Sequence, residues 1–465
     1  MLTRWVSPLV TWICLTAVAC AEPVGSILLD PNVTYQTICG WEVVAQAGQE
    51  DSAAFDRYKD QLFDLAVNEV GINRVRLEVH AGCENTLDHW KRFQEGQISY
   101  EAWSGIRYAT INDNDDPNQI SAAGFQFSAL DDTIEKVVLP LRRRVAANGE
   151  SLYVNLLYVA FTRQTDAGRP YIHDEPEEYA EFILAVVLHM KRKYGFTPDA
   201  LEVLLEPDNV PQWNGTTLGH AIVATGNRLA ANGLTPHVIA PSNTKMKNAI
   251  AYFDEMVKVP GALRHVKEFS YHRYRGFTDG DLRAIADRAI EHGLDTSMLE
   301  WWHGSNGYKT LHKDIKLGRN SAWQQGVVGA PAKWNDKTAL YTIDDTDPDH
   351  PIVKMNDITK FTLHYFRHVR AGARRIQATS DHRACDPIAF VNVDGRRVVI
   401  VKARRSAGLI INGLPPGRYG VAYTTPGEVD RKLAEQTVGP GEPLRARIPS
   451  DGVLAAFQLV KGDPG

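Results

Sequence analysis

Two glutamates each close a short apolar run. In "LEVLLEPDNVPQW" (201–213) the run Leu201, Val203, Leu204, Leu205 stops at Glu206, and Pro207 bars its continuation. In "DTSMLEWW" (295–302) Glu300 holds the same place, ahead of Trp301 and Trp302. A strand that ends in a carboxylate presents it at its tip. Two such tips facing each other are the apparatus for hydrolysing an acetal: one carboxylic acid protonates the leaving oxygen while the other, ionised, attacks the anomeric carbon. The pair works only if its surroundings push the two pKa values apart.

Other residues have the chemistry to arrange that. Arg76 in "INRVRLEVH" (72–80) would keep a neighbouring carboxylate ionised. His272 or Tyr274 in "VKEFSYHRY" (266–274) would hydrogen-bond the same group, and Glu42 in "GWEVVAQ" (40–46) is a further strand-borne acid. Bland readings stand beside these. Arg76, flanked by Val75 and Leu77, also reads as a structural ion-pair partner, and His272 and Tyr274 as core residues with satisfied hydrogen bonds.

The elements that must position these residues alternate along the chain. Apolar runs at 40–46, 72–80, 151–161, 201–205, 237–243, 266–274, 295–302 and 338–345 read as strands. Amphipathic helices lie between them, among them 53–71, 130–149 (interrupted at Pro140), 176–195, 216–233, 281–293 and 356–372. Eight strands separated by helices predict a parallel (β/α)8 TIM barrel over 40–372, with its chemistry at the C-terminal ends of the strands. The polar and aromatic stretch 84–125, with Trp90, Tyr100, Trp103 and Tyr108, is too long for a simple connector. It reads either as sugar subsites over the barrel mouth or as a small packed cap.

After Gly372 helices cease. Strands divided by turns such as Asp394-Gly395 and Pro415-Pro416-Gly417 predict an antiparallel β-sandwich over 373–465, joined by a strand from 22–39. Residues 1–21 read as an export signal, with Arg4 ahead of a mostly apolar stretch and small residues near the cut. "AVAC" also resembles a lipoprotein box, which would lipidate Cys20, although Ala17 stands where Leu is usual. The expectation is therefore an exported protein, periplasmic or extracellular, with no membrane span.

A net charge of −5 gives no field for nucleic acid. No CxxC or HExxH spacing occurs, and the acidic loops 112–119 and 344–350 lack the EF-hand pattern, so no metal is expected. Cys39, Cys83 and Cys385 leave two readings open: a Cys39–Cys83 disulfide, or unpaired thiols.

Five segments, in order, resemble glycoside hydrolase clan A and most closely its family 30: "YQTICGWE", "LLEPDN", "FSYHRY", "SMLEWW" and "HVRAGARRIQATS". The resemblance spans roughly 25–460. It implies a retaining β-glycosidase acting on a β-linked carbohydrate without a cofactor, with Glu206 as general acid/base and Glu300 as nucleophile. Arg76 and a member of the His272/Tyr274 pair would contact that nucleophile. Two departures stand out. The family places Asn before its acid/base, where this chain has Leu205, leaving Asn209 or Asn155 as substitutes. The clan commonly places a Trp platform on strand eight, where this chain has Tyr341; Trp301 and Trp302 would serve instead. The rival readings are a non-catalytic carbohydrate-binding protein on a hydrolase scaffold and an inverting glycosidase.

Overall fold

A computed structural model describes residues 24–166, 168–275, 277–302 and 307–459. The expected export signal and Cys20 lie outside the described residues. Eight parallel strands close into a barrel. After an N-terminal strand β1 (Val24–Thr37), the barrel strands are β2 (Gly40–Val44), β3 (Arg74–His80), β4 (Tyr153–Val159) and β5 (Ala200–Glu202). They continue with β6 (His237–Lys245), β7 (Val266–Arg275), β8 (Asp295–Glu300) and β9 (Asn320–Val327). Strand β2 closes the ring by pairing with both β3 and β9.

The alternation in "RVRLEVH" explains one wall of this barrel. Val75, Leu77 and Val79 are buried in the large core beneath the surrounding helices, while Arg74 and Arg76 occupy the other face and enter the barrel lumen. The expected helix break at Pro140 does not occur. Helical residues run from Ser128 to Ala147, with a wide π-helical turn at Ile134–Val138 just before the proline. That wider turn accommodates the hydrogen bond that Pro140, having no amide proton, cannot donate.

The eighth barrel strand is a correction. It is β9, "NSAWQQGV", and not 338–345. Both faces of β9 hydrogen-bond, Gln324 inward to Arg76 and Gln325 outward to Thr359 and Thr362, so its sequence shows no apolar run. Tyr341–Asp344 instead forms the middle of a small sheet, parallel to Gly329–Pro331 and antiparallel to Ile352–Met355.

The second domain is a ten-stranded, largely antiparallel curled sheet. Within it β1 lies antiparallel to Arg374–Ser380 and parallel to Ala407–Asn412. One face carries its own core, including Ile27, Val399, Leu409 and Leu454. The other face, with Ile388, Phe390, Ile400 and Val453, belongs to the core of the barrel domain. Hydrogen bonds also cross the junction from helix Thr359–Phe366 and the turn after it: His364 reaches Thr424, and Arg367 reaches Asp430.

Candidate active site

The lumen is charged from the floor upward. In the lower layer Arg74 donates to Glu42 and, through two nitrogens at 2.9 and 2.8 Å, to Glu268. One layer higher Arg76 meets Glu202 at 3.1 Å and Glu300 at 2.8 Å, and Asn155 donates to Glu202 at 3.0 Å. Arg74, Arg76, Glu42, Glu202 and Asn155 are fully buried. Burying lone charges would be prohibitive, so these arginines and carboxylates persist only as hydrogen-bonded partners. Glu42 therefore sits below the mouth, in register with Arg74, and does not reach the strand tips as expected. Burial, only partly offset by Arg74, pushes its pKa up to about 7.

At the mouth, oxygens of Glu206 and Glu300 and a ring nitrogen of His272 all lie within 4.8 Å of one another. Their hydrogen bonds differ. Glu300 accepts from Arg76 at 2.8 Å and from the Tyr274 hydroxyl at 2.7 Å. Burial would raise Glu300, but Arg76, His272 and Tyr274 outweigh it and hold the carboxyl below its ordinary value. Glu206 accepts from Asn209 Nδ2 at 2.7 Å, and His272 Nδ1 lies 3.1 Å from its other oxygen. Burial would lower His272, yet the Glu300 charge and the bond to Glu206 hold its pKa above the usual value.

Local chain geometry delivers Glu206. Regular pairing in β5 ends at Glu202, earlier than the expected 205, although Leu205 N–H still bonds Tyr158 O. Glu206 itself is left-handed, with φ 50° and ψ 62°, and its N–H donates to Ser242 O. Such a conformation costs a non-glycine residue on the order of 1–3 kcal/mol and recurs where function constrains the backbone. The tight turn Pro207–Asn209 then brings Asn209 back beneath the carboxylate.

The remaining expected residues divide. Trp302 borders the mouth, whereas Trp301 packs edge-on against Trp323. Tyr341 is buried in the small sheet and lines neither cavity at the mouth, since its strand is not part of the barrel. Leu205 packs with Leu157, Val159 and Tyr108 and faces the mouth. Asn155 is committed to the lumen below, and Asn209 to Glu206 and Thr244, so neither takes the place Leu205 vacates. The three described cysteines are free, so no Cys39–Cys83 disulfide forms; Cys39 instead lies 3.7 Å from Asp295.

Two cavities meet at Glu300, Trp302 and Phe161. One, of about 270 Å³, holds Arg76 and Glu300 and is walled by Trp90, Trp103 and Tyr108 of the long insertion. The other is a more open groove of about 890 Å³ bordered by Glu206, Asn209 and Tyr274. The aromatic rings of the insertion pack on one another, as a small cap would, and some of them also face the cavity. Sequence reading missed Glu202, Arg74 and Glu268 in the lumen and Glu50, Glu78 and Arg107 around the cavity. The signal was present: "RVRLEVH" places Arg74, Arg76, Glu78 and His80 on one face of a strand.

By composition, Glu206, His272 and Glu300 match a divalent-cation donor set. Arg76 and Tyr274 already occupy the Glu300 oxygens, however, and Asn209 and His272 those of Glu206. The arrangement suits a working carboxyl pair better than an ion.

No protein-family model matches the sequence, and no curated protein matches it. Solved structures do. The catalytic domain of GH30 xylanase C from Talaromyces cellulolyticus aligns at a TM-score of 0.65 and 15% identity, covering 94% of this chain and 100% of that one. A conserved exported protein from Bacteroides fragilis aligns at 0.68 and 13%, covering 93% and 100%. An endo-β1,6-glucanase aligns at 0.62 and 15%, covering 93% of both chains. The chain therefore has the fold of glycoside hydrolase family 30 within clan A.

Proposed function

We propose that this chain is a retaining β-glycoside hydrolase. The observation that carries the reading is the carboxyl pair: an oxygen of one lies within 4.8 Å of an oxygen of the other, and their hydrogen-bond partners differ in kind. Retaining glycosidases hold their carboxyls ~5–5.5 Å apart and inverting ones ~6.5–9.5 Å, with room for a water between, and so close an oxygen–oxygen approach supports the retaining reading. The likeness to GH30 xylanases and a β1,6-glucanase is consistent with a carbohydrate substrate.

Arg76 and Tyr274 keep Glu300 ionised, and its free lone pair attacks the anomeric carbon. Glu206, held by Asn209 and His272, gives its proton to the leaving oxygen as the glycosyl-enzyme forms. It then takes a proton from water, which attacks the same carbon and restores Glu300. Two inversions give net retention, and the carboxyl pair suffices without a cofactor. His272 and Asn209 act as positioning residues for Glu206. The signal-like residues 1–21 support export to the periplasm or beyond.

Leu205 favours a second reading, a carbohydrate-binding protein that has lost turnover, because it cannot hydrogen-bond a sugar 2-hydroxyl. One experiment separates the two. The full chain is assayed on a panel of 4-nitrophenyl β-glycosides, and product stereochemistry is followed by proton NMR. Release of the β-anomer first supports retention; the α-anomer first means inversion; sugar binding with no hydrolysis means a binding protein.

A further inference from the structure

The smaller and less open cavity has its own chemistry. It contains Glu300 and Arg76 but not Glu206, while the open groove contains Glu206. If Glu300 attacks and Glu206 serves the leaving group, the smaller cavity holds the sugar that becomes covalently attached. The groove then holds whatever departs. At about 270 Å³ this cavity falls below the ~300–1,000 Å³ of ordinary ligand pockets, which leaves room for about one pyranose. Residues Trp90, Trp103, Arg107 and Tyr108, all from the insertion, stand where a second sugar on that side would have to pass. Arg107 is itself fixed, its guanidinium lying over the Trp103 and Tyr108 rings.

Two carboxylates in this cavity have no role in the chemistry. Glu78 follows Arg76 by two residues on β3, so it faces the same way one step nearer the mouth. Among the described residues the nearest basic group to it is His80, at 3.8 Å, beyond hydrogen-bond distance. Glu50 also lines the cavity and makes no hydrogen bond or ion pair with any described residue. Its side chain is exposed at the edge of the cavity, where a bound sugar would meet it alongside solvent. Carboxylates left without protein donors in a sugar-sized pocket are acceptors waiting for hydroxyl groups.

We propose that the enzyme is exo-acting, removing one unsubstituted sugar from a non-reducing end, and that Glu78 and Glu50 are specificity-determining residues that accept its hydroxyls. This rests on the glycosidase reading above. The test starts from the 4-nitrophenyl β-glycoside cleaved fastest, which fixes the sugar. A reducing-end-labelled pentasaccharide of that sugar should then shorten one unit at a time, with only monosaccharide released from the first time point. Glu78→Gln and Glu50→Gln should each raise KM for the aryl glycoside by roughly 10- to 100-fold with kcat little changed, because the lost hydrogen bonds serve ground and transition states alike. Thermal melts confirm that each variant folds. A deoxy-glycoside lacking the hydroxyl read by Glu78 should be poor for the wild type and no poorer for Glu78→Gln.

Internal cuts at early times would overturn exo action while leaving the catalytic reading intact. Unchanged KM in both folded variants would remove the specificity role. If neither aryl glycosides nor oligosaccharides are hydrolysed, the catalytic reading falls and this inference with it.

Discussion

Tyr274 and His272, two positions apart on one strand, divide the carboxyl pair between them. The Tyr274 hydroxyl donates to Glu300 at 2.7 Å, while His272 Nδ1 lies 3.1 Å from Glu206. Both side chains face the lumen because strand periodicity is two, and one or other of them was expected on the nucleophile; it is Tyr274. In the structure one neighbour stabilises an anion and the other orients a group that must gain and lose a proton.

That division has a pH signature. Glu300 must be ionised to attack, and Tyr274 helps to hold its pKa below the ordinary carboxylate value. Activity is present above that pKa and lost as pH falls through it. Tyr274→Phe removes one stabilising hydrogen bond, so the acid limb of kcat/KM should move to higher pH, with the loss larger at pH 5 than at pH 7. An acid limb that stays in place or moves lower would show that Tyr274 does not act on the nucleophile.

The two carboxyl variants should fail differently. Glu300→Ala should lower kcat by on the order of 10⁴-fold or more for every substrate. Glu206→Ala should spare the first step on substrates with good leaving groups and slow the second, so that a glycosyl-enzyme accumulates on Glu300. Azide, which needs no general base, should restore turnover. Peptide mapping that locates the sugar on Glu206 would reverse the roles, and equal loss on all leaving groups without azide rescue would remove them.

Leu205→Asn probes the family departure. The side chain packs on Leu157, Val159 and Tyr108, so an amide there lacks protein partners and should cost about 1–3 kcal/mol in denaturant unfolding. Because the position borders the cavity, the same change should alter the preference between glycosides that differ at carbon 2. Lost stability with unchanged preference would mean that the residue is packing alone.

Glu181 carries a stability signature away from the mouth. Only 1% exposed, it has both carboxyl oxygens without partners, and burial beside Asp113 and Glu178 pushes its pKa up to about 8. The folded pKa is raised above the unfolded value, so the folded state is favoured below about pH 4.5 and loses stability as pH climbs toward 8. Glu181→Gln should therefore raise Tm by a few degrees at pH 9 and by much less at pH 5. A uniform shift at both values would show that Glu181 does not titrate in this window.

The barrel, the side sheet and the pair Glu206/Glu300 were legible because apolar runs ended abruptly at acids and because helix and strand periods alternated. Strand β9 was not, since Gln324 and Gln325 hydrogen-bond on opposite faces and leave no hydropathy signal. Tyr341 was placed on the barrel for the complementary reason: its run is apolar, yet it builds a separate small sheet. The lumen ion pairs escaped because Glu42 and Arg74 meet only once β2 pairs with β3, and Arg74 and Glu268 only after the ring closes. Asn209 was named as a stand-in for the missing amide, yet it supports Glu206 through a turn that begins at a left-handed residue.

The placement of β1 between Arg374–Ser380 and Ala407–Asn412 has a consequence for how the molecule is born. Ser26 and Asp381, which hydrogen-bond across that junction, are 355 residues apart in sequence. Whether the chain leaves a ribosome or a translocation pore, its first strand emerges long before any partner exists. At ordinary synthesis rates that wait is roughly 20–70 s. Throughout it, "SILL" is an unpaired apolar edge, the kind of segment that recruits other chains. The barrel has time to close first, and the side sheet is assembled last, around a strand that was made at the beginning.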